Sequence, residues 1–425
     1  MSEQTRAIRR PGLLRLGAAA VAAVLVAEAA VWLLRPRDDT IDPVAVSERD
    51  YFDAAQIERA EDYRGGQRLL FFGTLALEGG LLIVLCLGRP QIIRSRLDAL
   101  GRRPMLGAAA AGAALSVALA IVALPTQAVA HERAVDYGLA TQGFGAWLTD
   151  EGKGAAISAV IAAGGAALLV GLLRRFGRLW WIPGAIAVVA FEVVFAWLAP
   201  VVLAPLFNRF DPLPAGQARS DVLELGRRAG VEIGEVYEVD ASRRSTSLNA
   251  YVSGIGATKR VVLYDNLLDE TERPALRSVV AHELAHVEHR DIPRGMLWVA
   301  VVAPLGLLFA GLLGQRLAAR AGADPATPAA LPAFALALSL TVFVLTVVSN
   351  QLSRDVEASA DAFALELTDD PDGLIELQRR LAVTNLSDAD PPGWTTLLFG
   401  THPTTVERLG AAVAYRHSAS ESGSR

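Results

Sequence analysis

The stretch AHELAHVEHRD, residues 281–291, places two histidines four apart with a glutamate directly after the first. The 425-residue chain has only six histidines, and three of them, His282, His286 and His289, fall here. On a helix, His282 and His286 project from one face and can reach a single metal ion. Glu283 is then placed to take a proton from a water polarised by that metal, the chemistry of hydrolytic attack on a peptide carbonyl. A catalytic zinc takes three protein ligands and keeps one position open, so a third ligand must come from elsewhere.

One source would be the longer pattern H-E-x-x-H-x-x-G-x-x-H, but its later positions hold His289 and Ile292. His289 lies near the right face, yet three ligands on one continuous helix would strain a tetrahedral site. It reads instead as a solvated histidine or one that steadies a ligand. The other source is a carboxylate on a separate helix. In NQLSRDVEASADAFALEL, residues 350–367, Glu357 and Asp361 are four apart and share a face. Glu357 would bind zinc and Asp361 would orient a ligand histidine. Arg354, three residues before Glu357, falls on the same side and could hold a carboxylate in place. A Glu/Asp pair is common on solvated helix faces, and H-E-x-x-H also arises by chance. Together they weigh more, because each stands in a polar segment beside a run apolar enough to cross a bilayer.

The elements that must position these residues are those of a membrane protein. The chain is 52% hydrophobic and 20% charged, against about a quarter charged in a soluble protein. The apolar residues collect in blocks of roughly 20, the length of a bilayer crossing. Seven such spans are expected, near residues 12–34, 69–88, 105–124, 154–173, 180–207, 296–314 and 331–349. No small-residue cleavage site follows the first, so it reads as a retained span. The lone cysteine, Cys86, lies inside an apolar block and has no partner for an internal disulfide. A net charge of −5 gives no case for nucleic acid. The expected partners are a peptide or membrane-protein substrate and the lipid bilayer. Arginine far outnumbers lysine (only Lys153 and Lys259), which with the many alanines fits a GC-rich bacterial genome and a bacterial cell membrane.

The predicted organisation is a five-span membrane domain (1–207), a zinc-helix segment (208–294), spans six and seven (295–349), a third-ligand helix with the C-terminal part of the catalytic domain (350–417), and a disordered tail (418–425). Segment 208–294 reads as mixed α and β. A helix is expected over 221–229 with Gly230 as its cap. Strands are expected over 231–239, 249–252 and 261–264, with a turn over 253–259 between the last two. A helix starting at Asp269 or Thr271, with Pro274 in its first turn, would carry the zinc motif. The loops 89–103 and 174–178 carry five and three arginines. If basic loops stay inside, segment 208–294 faces outward. The loop 35–68, with six arginines, points the other way.

At these residues the sequence resembles the type 1 CAAX prenyl endopeptidases, integral-membrane zinc metalloproteases of the gluzincin kind. PLFNRFDPLP (205–214) resembles the lead-in to that family's catalytic domain, and SLNAYVSGIGATKRVVLYDNLL (247–268) resembles its strand pair before the zinc helix. NQLSRDVEASAD (350–361) matches its N-x-x-S-R-x-x-E-x-x-A-D, and THPTTVERL (401–409) resembles its C-terminal T-H-P segment. The resemblance implies zinc ligands His282, His286 and Glu357, and Glu283 as general base. It also places Asn249 and His402 where the family holds substrate or steadies the tetrahedral intermediate. The implied fold is seven helices around a water-filled chamber that the zinc site faces, with a gluzincin-like α+β catalytic domain split by the last two spans. The family's eukaryotic members face the cytosol, whereas the arginine distribution here leans outward.

The reading is therefore a membrane-embedded zinc metalloendopeptidase with one Zn2+ per chain and no organic cofactor. An intramembrane-cleaving metalloprotease would carry H-E-x-x-H inside an apolar span, whereas here Glu288, His289, Arg290, Asp291 and Arg294 follow it. A non-enzymatic seven-helix transporter or receptor would need ionisable groups within its spans. Glu28, Glu78 and Glu192 are the main ones, and Glu28 and Glu78 serve a chamber equally well.

Overall fold

The computed structural model describes residues 12–37, 40–88, 91–253 and 259–423. Seven of its helices are long and apolar enough to cross a membrane, as the seven apolar runs predict. The N-terminal part comprises α1 (Leu13–Leu34), α2 (Ala54–Ile83), the short α3 (Gln91–Leu100), α4 (Pro104–Asp136), α5 (Phe144–Phe176) and α6 (Trp181–Leu198). Several of these helices outrun the apolar blocks that announce them. At 33 residues each, α4 and α5 are about 50 Å long, against a hydrocarbon core of about 30 Å. Their surplus turns stand beside the sheet-bearing part of the chain. The turn joining them is tied there by a bridge between Ala140 and Ser245 and by the bond from the Thr141 amide to the Arg244 carbonyl. Small residues allow close packing between these spans. A Cβ on Gly112 of α4 would stand 2.6 Å from the Ala162 carbonyl oxygen of α5.

The sheet-bearing part begins with β1 (Phe210–Pro212), α7 (Gln217–Arg228), β2 (Glu235–Val239), β3 (Ala250–Ser253), β4 (Arg260–Tyr264), α8 (Asp265–Glu270) and α9 (Arg273–Glu288). The strands form one sheet in the order β1-β2-β4-β3, with β2 parallel to β4 and both outer pairs antiparallel. Two elements, β1 and α8, are absent from the sequence-based expectation. At three and six residues they are too short to show a periodicity. The strand expected from residue 231 begins only at Glu235. The helix expected at Asp221 begins a turn earlier, at Gln217, and the expected cap Gly230 has the positive φ of +68° that suits it. Of the turn expected over 253–259, residues 254–258 lie outside the described residues.

Then follow α10 (Asp291–Arg320), α11 (Leu331–Thr368), α12 (Pro371–Thr384), α13 (Gly393–Phe399) and α14 (Thr405–Gly423). Span seven and the helix bearing Glu357 and Asp361 are one continuous 38-residue helix, α11. The tail expected to be disordered from residue 418 continues α14 as far as Gly423. Ser418 and Ser420 bond back to the carbonyls of Tyr415 and His417, so the short polar side chains fold onto the helix backbone.

One core joins the sheet to the helices packed on it. Leu225 of α7, Val236 of β2, Leu263 of β4, Val280 and Leu284 of α9, Leu365 of α11 and Leu374 of α12 pack together, each nearly or fully buried. The segment after α1 reaches over to this part: Phe52 is buried with Ala382, Ala389 and Leu409. Between the membrane helices lies a mainly apolar cavity of about 1000 Å³. Glu78, Gln127 and Glu151 are among its polar lining, and Leu169, Leu307 and Phe334 among its apolar lining. The residues of the H-E-x-x-H motif do not line this cavity. Glu28 instead accepts a hydrogen bond from Gln351 of α11.

Candidate metal centre

Helix α9 buries Ala275, Leu276, Val279, Val280 and Leu284 at spacings of three and four. That stripe faces the core and leaves His282 and His286 beside α11. Pro274 in the first turn starts α9 with its missing N–H at a position that needs none.

His282 is 6% exposed. Its Nδ1 lies 2.9 Å from Asp361 Oδ1 and its Nε2 3.1 Å from Glu357 Oε2. His286 repeats the arrangement, with Nδ1 2.9 Å from Asp291 Oδ2 and Nε2 3.8 Å from Glu357 Oε1. Each imidazole thus has one nitrogen held by an aspartate, which leaves the other turned toward Glu357. One ligand atom from each of His282, His286 and Glu357 lies within 4.8 Å of the others. Atoms bound at 2.0–2.1 Å to a tetrahedral ion stand about 3.4 Å apart. His282 Nε2 lies 3.1 Å from one oxygen of Glu357 and His286 Nε2 3.8 Å from the other, distances on the scale of that spacing, so the donor set suits a small divalent cation. Burial works against charge on His282, but its hydrogen bonds to Asp361 and Glu357 overcome it and raise its pKa to about 10. A metal taking Nε2 must displace that proton, so uptake releases protons.

Glu283 points from the neighbouring face of α9 toward β3, where the backbone of Val252 bonds to it. Burial raises its pKa above the ordinary carboxylate value. His402 approaches from the loop between α13 and α14. Its Nε2 lies 3.3 Å from Glu357 Oε2, its Nδ1 lies 2.9 Å from Thr401 Oγ1, and 55% of its side chain is exposed. Asn249, just before β3, is exposed, and its side-chain oxygen accepts from the Ala250 amide. It makes no hydrogen bond to His282, His286 or Glu357 among the described residues.

One expectation is corrected here. Among the described residues Arg354 forms no hydrogen bond or ion pair with a carboxylate. It donates to the carbonyls of Thr396 and Gly400, at the C-terminal end of α13. The Arg290–Asp291 pair stands at the junction of α9 with α10, the sixth candidate span, and also brings Asp291 onto His286. His289 stays apart from the ligand set: its ring meets Phe363 edge-on, and Ser359 Oγ lies 3.4 Å from its Nδ1.

Sequence reasoning missed Arg408. Its Nε and Nη2 each lie 2.6 Å from a carboxylate oxygen of Asp361, and only 12% of the side chain is exposed. A local signal marks the helix that carries it. Thr404 and Glu407 cap each other reciprocally, a T-x-x-E start signature. Nothing local says that the next residue, Arg408, turns inward.

Comparison with known proteins agrees with this geometry. Residues 41–209 match the family model described as CAAX prenyl protease N-terminal, five membrane helices, and residues 212–416 match peptidase family M48. The metalloprotease YhfN of Bacillus subtilis is 29% identical over 93% of this chain and 95% of its own. The CAAX prenyl protease 1 homolog of Oryza sativa is 32% identical over 52% of this chain, and the alignment spans about half (53%) of that protein. The fold matches the crystal structure of S. mikatae Ste24p with a TM-score of 0.77, covering 95% of this chain and all of that one at 19% identity. The two adjoining family matches meet between α6 and the sheet, so membrane half and catalytic half point to one conclusion: the chain belongs to peptidase family M48, as a multi-pass membrane metalloendopeptidase of the CAAX prenyl protease-like family.

Proposed function

We infer that the metal is zinc, held by His282, His286 and Glu357, and that Glu283 is the general base of peptide hydrolysis. The observation that carries this is the convergence of the three ligand atoms within 4.8 Å, with both imidazoles braced from behind by aspartates. Two nitrogens and one carboxylate oxygen are a donor set typical of catalytic zinc, with a fourth position left for the reaction. Zinc, when bound, supplies Lewis acidity to water and to the scissile carbonyl.

The chain supplies the rest. Glu283 takes the proton of the attacking water and returns it to the departing nitrogen, and its raised pKa brings it nearer the pH at which it works. His402, beside Glu357, donates to the oxygen on which negative charge develops. Asn249 holds the substrate backbone beside β3, the outer strand of the sheet, to which an extended peptide can add. The substrates are peptide segments presented at the membrane. Relatives named CAAX prenyl proteases make lipidated chains the first class to test.

The test is Glu283→Gln in full-length protein, assayed on a reporter peptide with metal content measured in parallel. The expected result is a loss of roughly 10²–10⁴ in kcat with one zinc retained per chain. Undiminished cleavage with zinc still bound overturns the assignment of Glu283. A fully active preparation after exhaustive chelation overturns zinc dependence altogether.

A further inference from the structure

Past the end of α6 the helix loosens into a wider turn over Ala199–Leu203 and a tighter one over Ala204–Leu206. The loosened turn frees the Pro200 carbonyl, and Arg260 of β4 donates to it across the junction with the sheet. A pocket of about 570 Å³ opens there. Of its eleven lining residues five are cationic, Lys153, Arg209, Arg243, Arg244 and Arg260, and none is acidic.

Carboxylates outside the pocket answer only part of that charge. Asp150 pairs with Lys153 and Arg244 at 2.9 Å each, Asp211 with Arg209 at 2.9 Å, and Asp240 with Arg243 at 2.8 Å. Five cations against three acids leave two positive charges. Arg260 forms no ion pair with a carboxylate among the described residues. Its guanidinium lies over the rings of Phe210 and Tyr237, 4.9 and 5.5 Å from their centroids. The pocket also adjoins lipid-facing surface. Val201, Val202 and Leu206, on the loosened turns, are exposed at 58%, 47% and 49%, and Lys153 stands where the apolar run of α5 begins.

The geometry points to a site for a phosphate-bearing anion drawn from the bilayer, the headgroup of an anionic phospholipid, with its acyl chains along Val202 and Leu206. Guanidinium groups match phosphate oxygens in a two-point fork. Basic pockets beside membrane helices concentrate anionic headgroups. A zwitterionic headgroup brings its own cation against the pocket's excess charge. Free phosphate has nothing to place on the apolar wall.

The experiment measures thermal unfolding of the purified full-length protein with dioctanoyl phosphatidylglycerol, dioctanoyl phosphatidylcholine or inorganic phosphate at equal concentration, together with the Kd of each lipid. Phosphatidylglycerol is expected to raise the unfolding midpoint and to bind about tenfold more tightly than phosphatidylcholine, with phosphate inert. Arg209→Gln/Arg243→Gln removes exposed charges whose ion pairs add little stability, and is expected to weaken phosphatidylglycerol about tenfold. Arg379→Gln/Arg416→Gln, which removes the same charge from α12 and α14, leaves that affinity unchanged. If the double variant fails to fold, Arg209→Gln alone carries the expectation at about threefold. Equal response to the two lipids, or unchanged affinity in the Arg209 variants, overturns the site. A phosphate effect equal to that of phosphatidylglycerol overturns the bilayer as the source.

Discussion

Arg408 and Asp361 meet fork to fork behind His282, through two hydrogen bonds of 2.6 Å, and both side chains are largely buried. The fork fixes the carboxylate so that Oδ1 faces His282 Nδ1 at 2.9 Å. Asp361→Asn, which weakens the acceptor for the imidazole N–H, is expected to reduce metal affinity about 10–100-fold. Arg408→Lys keeps the charge but loses the fork, and should fall between that variant and the wild type. Arg408→Ala leaves a buried carboxylate with an incomplete partner set and is expected to cost about 3–5 kcal/mol of stability. Competition against a chelating dye measures the first two. Unchanged affinity in Asp361→Asn would remove Asp361 from the metal centre.

Asp291 reaches His286 because the chain turns sharply one residue earlier. Arg290 adopts a left-handed conformation, φ 58° and ψ 45°, between α9 and α10, and this puts Asp291 at the first position of α10. A non-glycine residue held there costs roughly 1–2 kcal/mol. Arg290→Gly is therefore expected to keep full metal content and to be no less stable than the wild type. Asp291→Asn should weaken metal binding about tenfold. The two variants separate the turn from the carboxylate. Loss of metal in Arg290→Gly alone would mean that the arginine side chain, and not the backbone turn, matters.

Arg354 ties the carbonyls of Thr396 and Gly400 to α11, three residues before Glu357. The chain runs from Gly400 straight to Thr401 and His402, so this anchor sets where His402 can stand. In Arg354→Gln, kcat/KM on a reporter peptide is expected to fall by roughly tenfold to a hundredfold, the scale of a small misplacement of a reacting group. Metal content should be unchanged. Metal loss in parallel would return Arg354 to the role its sequence position suggested, that of holding a carboxylate.

Much of this centre is written in short-range patterns. The i,i+4 pairs His282/His286 and Glu357/Asp361 need only helical geometry to share a face, and the apolar blocks announce the spans by length alone. What escapes the sequence depends on contacts between elements far apart in the chain. Arg408 meets Asp361 across 47 residues, and its helix face is set by the packing of Leu409 and Ala412, both fully buried. That Asp291 meets His286 was not legible, because the left-handed Arg290 that places it is not a position that propensity favours. The continuity of α11 was hidden by its composition, which changes from apolar to polar near Asn350 without any helix stop signal.

Far from the candidate metal centre, Asp221 of α7 clasps the N-terminal part of α9. It is 4% exposed and accepts two bonds of 2.8 Å from Arg273, one of 3.0 Å from Arg277 and one of 3.1 Å from Gln217. The bonds from Arg273 hold its carboxyl below the usual pKa, although burial opposes them. A carboxyl depressed in the folded state stabilises the protein above its unfolded pKa, about 3.9, and this contribution is lost as pH falls through the lower folded value. Asp221→Asn should therefore be less stable than the wild type at pH 7 by about 2 kcal/mol, the scale of hydrogen bonds to a charged group. The difference should narrow as the pH drops below about 4. Thermal unfolding of both proteins between pH 3 and 7 reads this directly. A gap that stays constant across that range would mean that Asp221 acts through shape and not through its charge.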